Sequence, residues 1–200
     1  MATLDTSNLG FGRAELMNSL LYNCFALETL DVTGWDVSNA TTFDRLFYTC
    51  KKLETITGLG TWDISNVESL FGTFYCCYEL SSVGGVENWD TSSVTTMAHA
   101  FRSAYDIEEL DLNSWDVSNV KEFNSMFSGT TNGNDMALHT LKINQWNTKS
   151  AERFNNMFQG CGHLISLDMA GWNVEKLLTT SHMFADCSGL ISTSSSEDVR

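Results

Sequence analysis

Apolar and polar positions recur along the chain in one fixed order, about 26 residues long, from the first residues to the last. Trp stands at 35, 62, 89, 115, 146 and 172, and twelve residues after each comes a Phe: Phe47, Phe74, Phe101, Phe127, Phe158 and Phe184. Three residues beyond each Phe lies a column of mostly small residues, Cys50, Cys77, Ala104, Thr130, Cys161 and Cys187. Two apolar columns follow, first Leu53, Leu80, Ile107, Leu138, Leu164 and Leu190, then Ile56, Val83, Leu110, Leu141 and Leu167. Leu27 and Leu30 supply both columns for the Trp35 copy, and Leu21 and Cys24 extend the pattern towards the start. The chain therefore reads as one domain, 1–200, of about six and a half repeats: a partial copy over 1–34, then copies starting near Trp35, Trp62, Trp89, Trp115, Trp146 and Trp172.

Two periods alternate within a copy. Ala40, Phe43, Phe47 and Cys50 fall at i, i+3, i+7 and i+10, which predicts one face of a helix. Ser38-Asn39, Ser65-Asn66, Ser92-Ser93 and Ser118-Asn119 mark its start, because these side chains accept hydrogen bonds from the free N–H groups of a first turn. Leu30/Val32, Leu110/Leu112, Leu141/Ile143 and Leu167/Met169 alternate with polar residues, as a short half-buried strand does. A unit this small cannot bury its apolar face alone, so copies must stack. The predicted fold is an α/β solenoid, a leucine-rich-repeat-like stack of strand-turn-helix units with a parallel strand ladder on one side and helices on the other. Two insertions interrupt it: residues 10–14, and Thr131-Asn132-Gly133-Asn134-Asp135, which lengthens the interval from Trp115 to Trp146.

The run Leu30-Asp31-Val32-Thr33-Gly34-Trp35-Asp36-Val37-Ser38-Asn39, then Phe and Cys, then Leu-x-x-Leu, resembles the BspA-like leucine-rich repeats of bacterial surface proteins, of the mycoplasma lipoprotein-associated variety. Trp115 to Val120 followed by Met126-Phe127-Ser128-Gly129 is especially similar, and the resemblance covers essentially the whole chain. Asn147 and Asn173 depart from the usual Asp after Trp, Thr148-Lys149-Ser150 and Val174-Glu175-Lys176 replace Ser-Asn, and residue 180 is Thr where Phe or Met is expected. The resemblance implies attachment or interaction at a cell or particle surface without naming a ligand.

Charge narrows the partners. Eleven Lys and Arg against 25 Asp and Glu give a formal net charge of -14, a field that repels nucleic acid and anionic lipid heads. No apolar run reaches the roughly 18 residues of a membrane span, and the first residues lack the basic and apolar regions of an export signal. The expected location is an extracellular cell or virion surface; without such a signal in the sequence, the protein acts where it is made, has had a signal removed, or leaves the cell by another route such as lysis. The chain has no Pro, so its turns are built from Gly, Asn, Asp and Ser.

Chemistry is sparse. His99, His139, His163 and His182 occupy different repeat positions, and no spacing places a base beside a nucleophile or assembles metal ligands, so no catalytic, cofactor or metal residue is assigned. The Trp column reads as core. The Asp36, Asp63, Asp90 and Asp116 column could ligate calcium in stacked copies, but bonds to nearby backbone N–H groups fit better, since Asn147 and Asn173 share the position. Five of the six Cys share one inward position and read as buried thiols. The expected function is a non-enzymatic scaffold that binds a protein or glycan partner, with a subunit or decoration of a virion or other large assembly as the alternative. The expected contact residues are the strand-face strip Asp31, Asp111, Lys142 and Asp168, with Gly58 and Gly85 along it, and the inserted loop through Thr131, Asn132, Asn134 and Asp135.

Overall fold

The computed structural model describes residues 2–6, 9–129 and 135–195. The alternating segments form strands: β1 (Thr3–Leu4), β2 (Thr29–Asp31), β3 (Thr55–Thr57), β4 (Glu109–Asp111), β5 (Thr140–Lys142), β6 (Ser166–Met169) and β7 (Ser192–Ser195). Each pairs parallel with the same repeat position of a neighbouring copy, Leu30 beside Ile56 and Leu110 beside Leu141, in three small sheets ordered β1-β2-β3, β4-β5 and β6-β7. A bridge from Thr55 to Ser82 carries the first ladder one copy further. Gly58 and Gly85 then turn the chain at φ of 93° and 103°, where a Cβ would lie 2.4 Å from a backbone nitrogen of the adjacent copy, so only glycine fits.

The predicted helical layer does not form. Among the described residues the helical elements are two 3-10 turns, Leu59–Thr61 and Val86–Asn88, so the α/β solenoid with helices packed on one side is not the fold. Each expected helix is instead a ribbon of overlapping turns. In the Trp35 copy the N–H groups of Leu46, Tyr48 and Cys50 donate to the carbonyls three residues back, at 3.1–3.2 Å. The alternate N–H groups, of Phe43, Arg45, Phe47 and Thr49, donate to Ser69, Phe71, Thr73 and Tyr75 of the next copy at 2.7–3.0 Å. A helix would keep all of these bonds within its own segment. Backbone φ is positive at two residues four apart in most ribbons, among them Arg45 and Thr49, Gly72 and Cys76, His99 and Ser103, which no right-handed helix tolerates.

The physical reason for the misreading is a coincidence of periods. A ribbon with a left-handed residue every fourth position turns Ala40, Phe43, Phe47 and Cys50 inward, all completely buried, as a helix would. Over about ten residues the two cannot be told apart by spacing. The ribbon prevails because so short a segment is marginal as a helix, and stacked copies offer its donors partners on the adjacent coil. A second parallel ladder, Leu16-Thr42-Ser69-Thr96-Glu122-Arg153-Thr179, runs beside the ribbons.

The core between these ladders is two aromatic columns. Trp35, Trp62, Trp89 and Trp115 stack with ring centroids 5.9–6.1 Å apart, and Phe47 through Phe184 stack at 5.3–5.8 Å. Each indole N–H is also satisfied by the preceding copy: Trp89 donates to the Leu59 carbonyl at 2.9 Å, Trp115 to Val86 at 2.8 Å and Trp146 to Leu112 at 2.8 Å. The Cys column does likewise, with the thiols of Cys50, Cys77 and Cys161 directed at the carbonyls of Leu21, Phe47 and Phe127 at 3.0–3.2 Å. All six Cys are free thiols, and burial pushes Cys50 up to about 12.

Candidate binding surfaces

The strand-face residues share one side of the ladder, but they do not converge. Asp31 pairs in register with Thr57, and its carboxylate accepts the Thr33 N–H at 2.8 Å. Asp111 and Lys142 sit side by side on β4 and β5, where Lys142 Nζ donates to Asp111 Oδ2 at 2.9 Å and holds that carboxyl below its ordinary range. Asp168 accepts the Ala170 N–H at 3.1 Å. Gly58 and Gly85 stand one residue past the strip, whose own register places Thr57 opposite Asp31. Lys142 and Asp168 line an open depression of about 320 Å³ with His139 and Thr140, and Asp111 lines a smaller one of about 130 Å³ with Ser82 and Glu87.

Of the inserted loop, Thr131, Asn132 and Asn134 lie outside the described residues. Asp135 is exposed and lies beside Gly162, where any Cβ would meet its carboxylate. The ladder resumes at once, since Met136 N–H donates to the Gly160 carbonyl at 3.0 Å.

The Asp column after Trp makes turns. Asp36, Asp63, Asp90 and Asp116 each accept the N–H two residues on at 2.9–3.2 Å, and Asn147 and Asn173 do the same at 3.3 and 2.9 Å. Among the described residues no group of three or more His, Cys, Asp or Glu side chains is placed to hold a metal ion.

The ribbon face carries a cluster that sequence reasoning missed. Arg45, Tyr48, Phe71, Tyr75, His99 and Arg102 enclose an open cleft of about 150 Å³, built from three successive copies. The middle copy supplies Phe71 and Tyr75. Arg45 reaches from the copy before, its guanidinium carbon 5.0 Å from the Phe71 ring centre, and Arg102 from the copy after, 5.4 Å from that of Tyr75. Tyr22, Tyr48 and Tyr75 run up to the cleft as a file of rings 4.6–4.9 Å apart. His99 sets its edge against Phe71 at 5.3 Å. Burial, with Arg102 and Arg45 nearby, pulls His99 down to about 4, so it is neutral at physiological pH. Its Nδ1 lies 3.4 Å from Arg102 Nη1, and because guanidinium only donates, Nδ1 is the acceptor.

The chain matches the family described as Mycoplasma protein of unknown function, DUF285, at residues 3–82, 54–140 and 133–200. It belongs to that family. No curated protein and no solved structure matches it. In this DUF285 chain no helix of the described residues is long and apolar enough to cross a membrane. The cleft did leave one trace in the sequence. The position after the buried Leu21, Phe47, Phe74 and Phe101, which faces outward, reads Tyr22, Tyr48, Tyr75 and Arg102. Three aromatic residues and then a cation on an outward column do not serve the core.

Proposed function

We propose that this DUF285 protein is a non-enzymatic repeat scaffold, displayed at an extracellular surface, that binds a protein or glycan partner. The supporting observation is how its surface is held. Every copy is tied to the next through backbone bonds and stacked rings, so polar side chains stand in fixed columns around shallow, open depressions. Such preorganised, extended faces suit recognition, because little side-chain freedom is lost on binding. The resemblance to BspA-like surface repeats agrees with this reading. Presented to an array of glycans and host-surface proteins at micromolar concentration, the purified chain is expected to retain a defined ligand set, and an empty array counts strongly against attachment.

One observation favours a second reading, a structural subunit or decoration of a virion or other large assembly. Among the described residues the exposed large apolar side chains, including Leu16, Leu20, Phe25, Leu178 and Ile191, belong with the exception of Ile165 to the first and last coils. An assembly partner seated there would cover them. Native mass spectrometry separates the readings: discrete oligomers support assembly, and a monomer at high concentration removes it.

A further inference from the structure

The ribbon-face cleft is a concentration of positive charge on a strongly acidic protein. Among the described residues neither Arg45 nor Arg102 has a carboxylate within ion-pair distance, although acidic side chains outnumber basic ones 25 to 11. The nearest acidic neighbour in sequence, Asp44, is taken by the Ser69 hydroxyl. Arg102 is partly buried, and its Nε is completely buried with no hydrogen-bond partner. Both guanidiniums lie over rings of one copy, Arg45 over Phe71 and Arg102 over Tyr75, and both line the same cleft. Guanidinium pairs held on aromatic faces are well suited to a carboxylate, which two forks of N–H groups can grip in its plane.

Resting on the reading of the protein as a binding scaffold, we propose that the cleft formed by Arg45, Tyr48, Phe71, Tyr75, His99 and Arg102 binds the carboxylate of an acidic sugar on a glycan. Two observations select this class. The charge of -14 disfavours polyanions such as sulfated glycans, whose many charges would meet the whole acidic surface, and favours an isolated carboxylate. The ribbon N–H groups around the cleft are also spent: those of Arg45, Phe74 and Cys76 on the next copy, and those of Tyr48 and Tyr75 on turns. A peptide backbone finds no strand edge to join there. Recognition falls to side chains, the two guanidiniums, the tyrosine hydroxyls and the neutral His99, which match a ring bearing one carboxylate and several hydroxyls.

The test titrates the whole chain with glucuronic acid and N-acetylneuraminic acid, with glucose as the uncharged control, following tyrosine and histidine ring signals by NMR. Either or both acids are expected to shift signals of Tyr48, Tyr75 and His99, and glucose to leave them in place. Arg45 is exposed, so Arg45→Gln keeps the fold and is expected to weaken binding about tenfold, as is Arg102→Lys, which keeps charge but loses the planar fork. Lys149→Gln, an exposed cation in the turn after Trp146 and outside both the cleft and the strand face, is expected to change nothing. No response to either acid at millimolar concentration overturns the proposal, as does binding that survives both arginine variants. An acidic peptide or heparin that binds the cleft more tightly than the sugars overturns it too. If the sugars fail while the array yields another ligand, the scaffold reading stands and the cleft assignment alone falls. If the array is also empty, both fall.

Discussion

At the scale of single residues, backbone conformation separates this structure from the one its spacing suggests. Thr49 sits at φ 62°, a left-handed value costly for a β-branched residue, and its N–H nonetheless donates to Tyr75 at 2.7 Å. Thr49→Gly removes the crowding and is expected to stabilise the protein by about 0.5 to 1 kcal/mol, net of the added freedom of the unfolded chain. In a helix the same change would destabilise, so a denaturant titration reads the conformation directly. The turn carboxylates give a second residue-scale expectation. The Ser38 and Ser92 hydroxyls and backbone N–H groups hold Asp36 and Asp90 below the ordinary carboxylate value of 3.8. A folded-state pKa below the unfolded one confers stability that is complete above the unfolded value and is lost as pH falls through the folded one. The melting-temperature advantage of wild type over Asp36→Ala/Asp90→Ala should therefore be constant from pH 7 to 5 and shrink below pH 4; an advantage that grows in acid contradicts these hydrogen bonds.

At the scale of elements, each coil is stabilised by its neighbours on both sides. Phe101 is completely buried between Phe74 and Phe127, whereas Phe184, partly buried in the last full coil, stacks on Phe158. Phe101→Ala is expected to cost about 3 to 5 kcal/mol and Phe184→Ala distinctly less. Equal losses in thermal unfolding would mean that the columns are misregistered. The columns themselves were legible in the sequence, because burial selects residue type: the Trp, Phe and Cys positions, the strand alternation and the Asp turn all fall where their spacing put them. The ribbon was not, because inward spacing of three or four residues is shared by a helix and by paired turns. Only the residues at left-handed positions tell them apart, and there Gly72, Asn23, Asn156, His99 and Asp186, which suit that conformation, alternate with Ser, Thr, Arg and Cys, which do not. The cleft was hidden for a related reason. Arg45, Phe71 and the pair His99 and Arg102 come from three successive copies and stand at three repeat positions, and they meet only because ribbons, rather than helices, lie against each other.

At the scale of the molecule, the chain is a stack in which each kind of donor has its own direction: ribbon N–H groups donate to the following copy, indole and thiol groups to the preceding one. That polarity fixes the register of all surface columns, and with it the cleft and the strand-face depressions on which the proposed binding depends. Through-space NMR contacts between ribbons test this most directly. The Arg45 and Phe47 amide protons are expected to show contacts to the Phe71 to Thr73 segment of the next copy, and equivalent contacts should link His99 with residues 123–125. A run of contacts between residues three and four apart through 40–50, with none from copy to copy, would mean that helices form there after all and that the cleft does not exist.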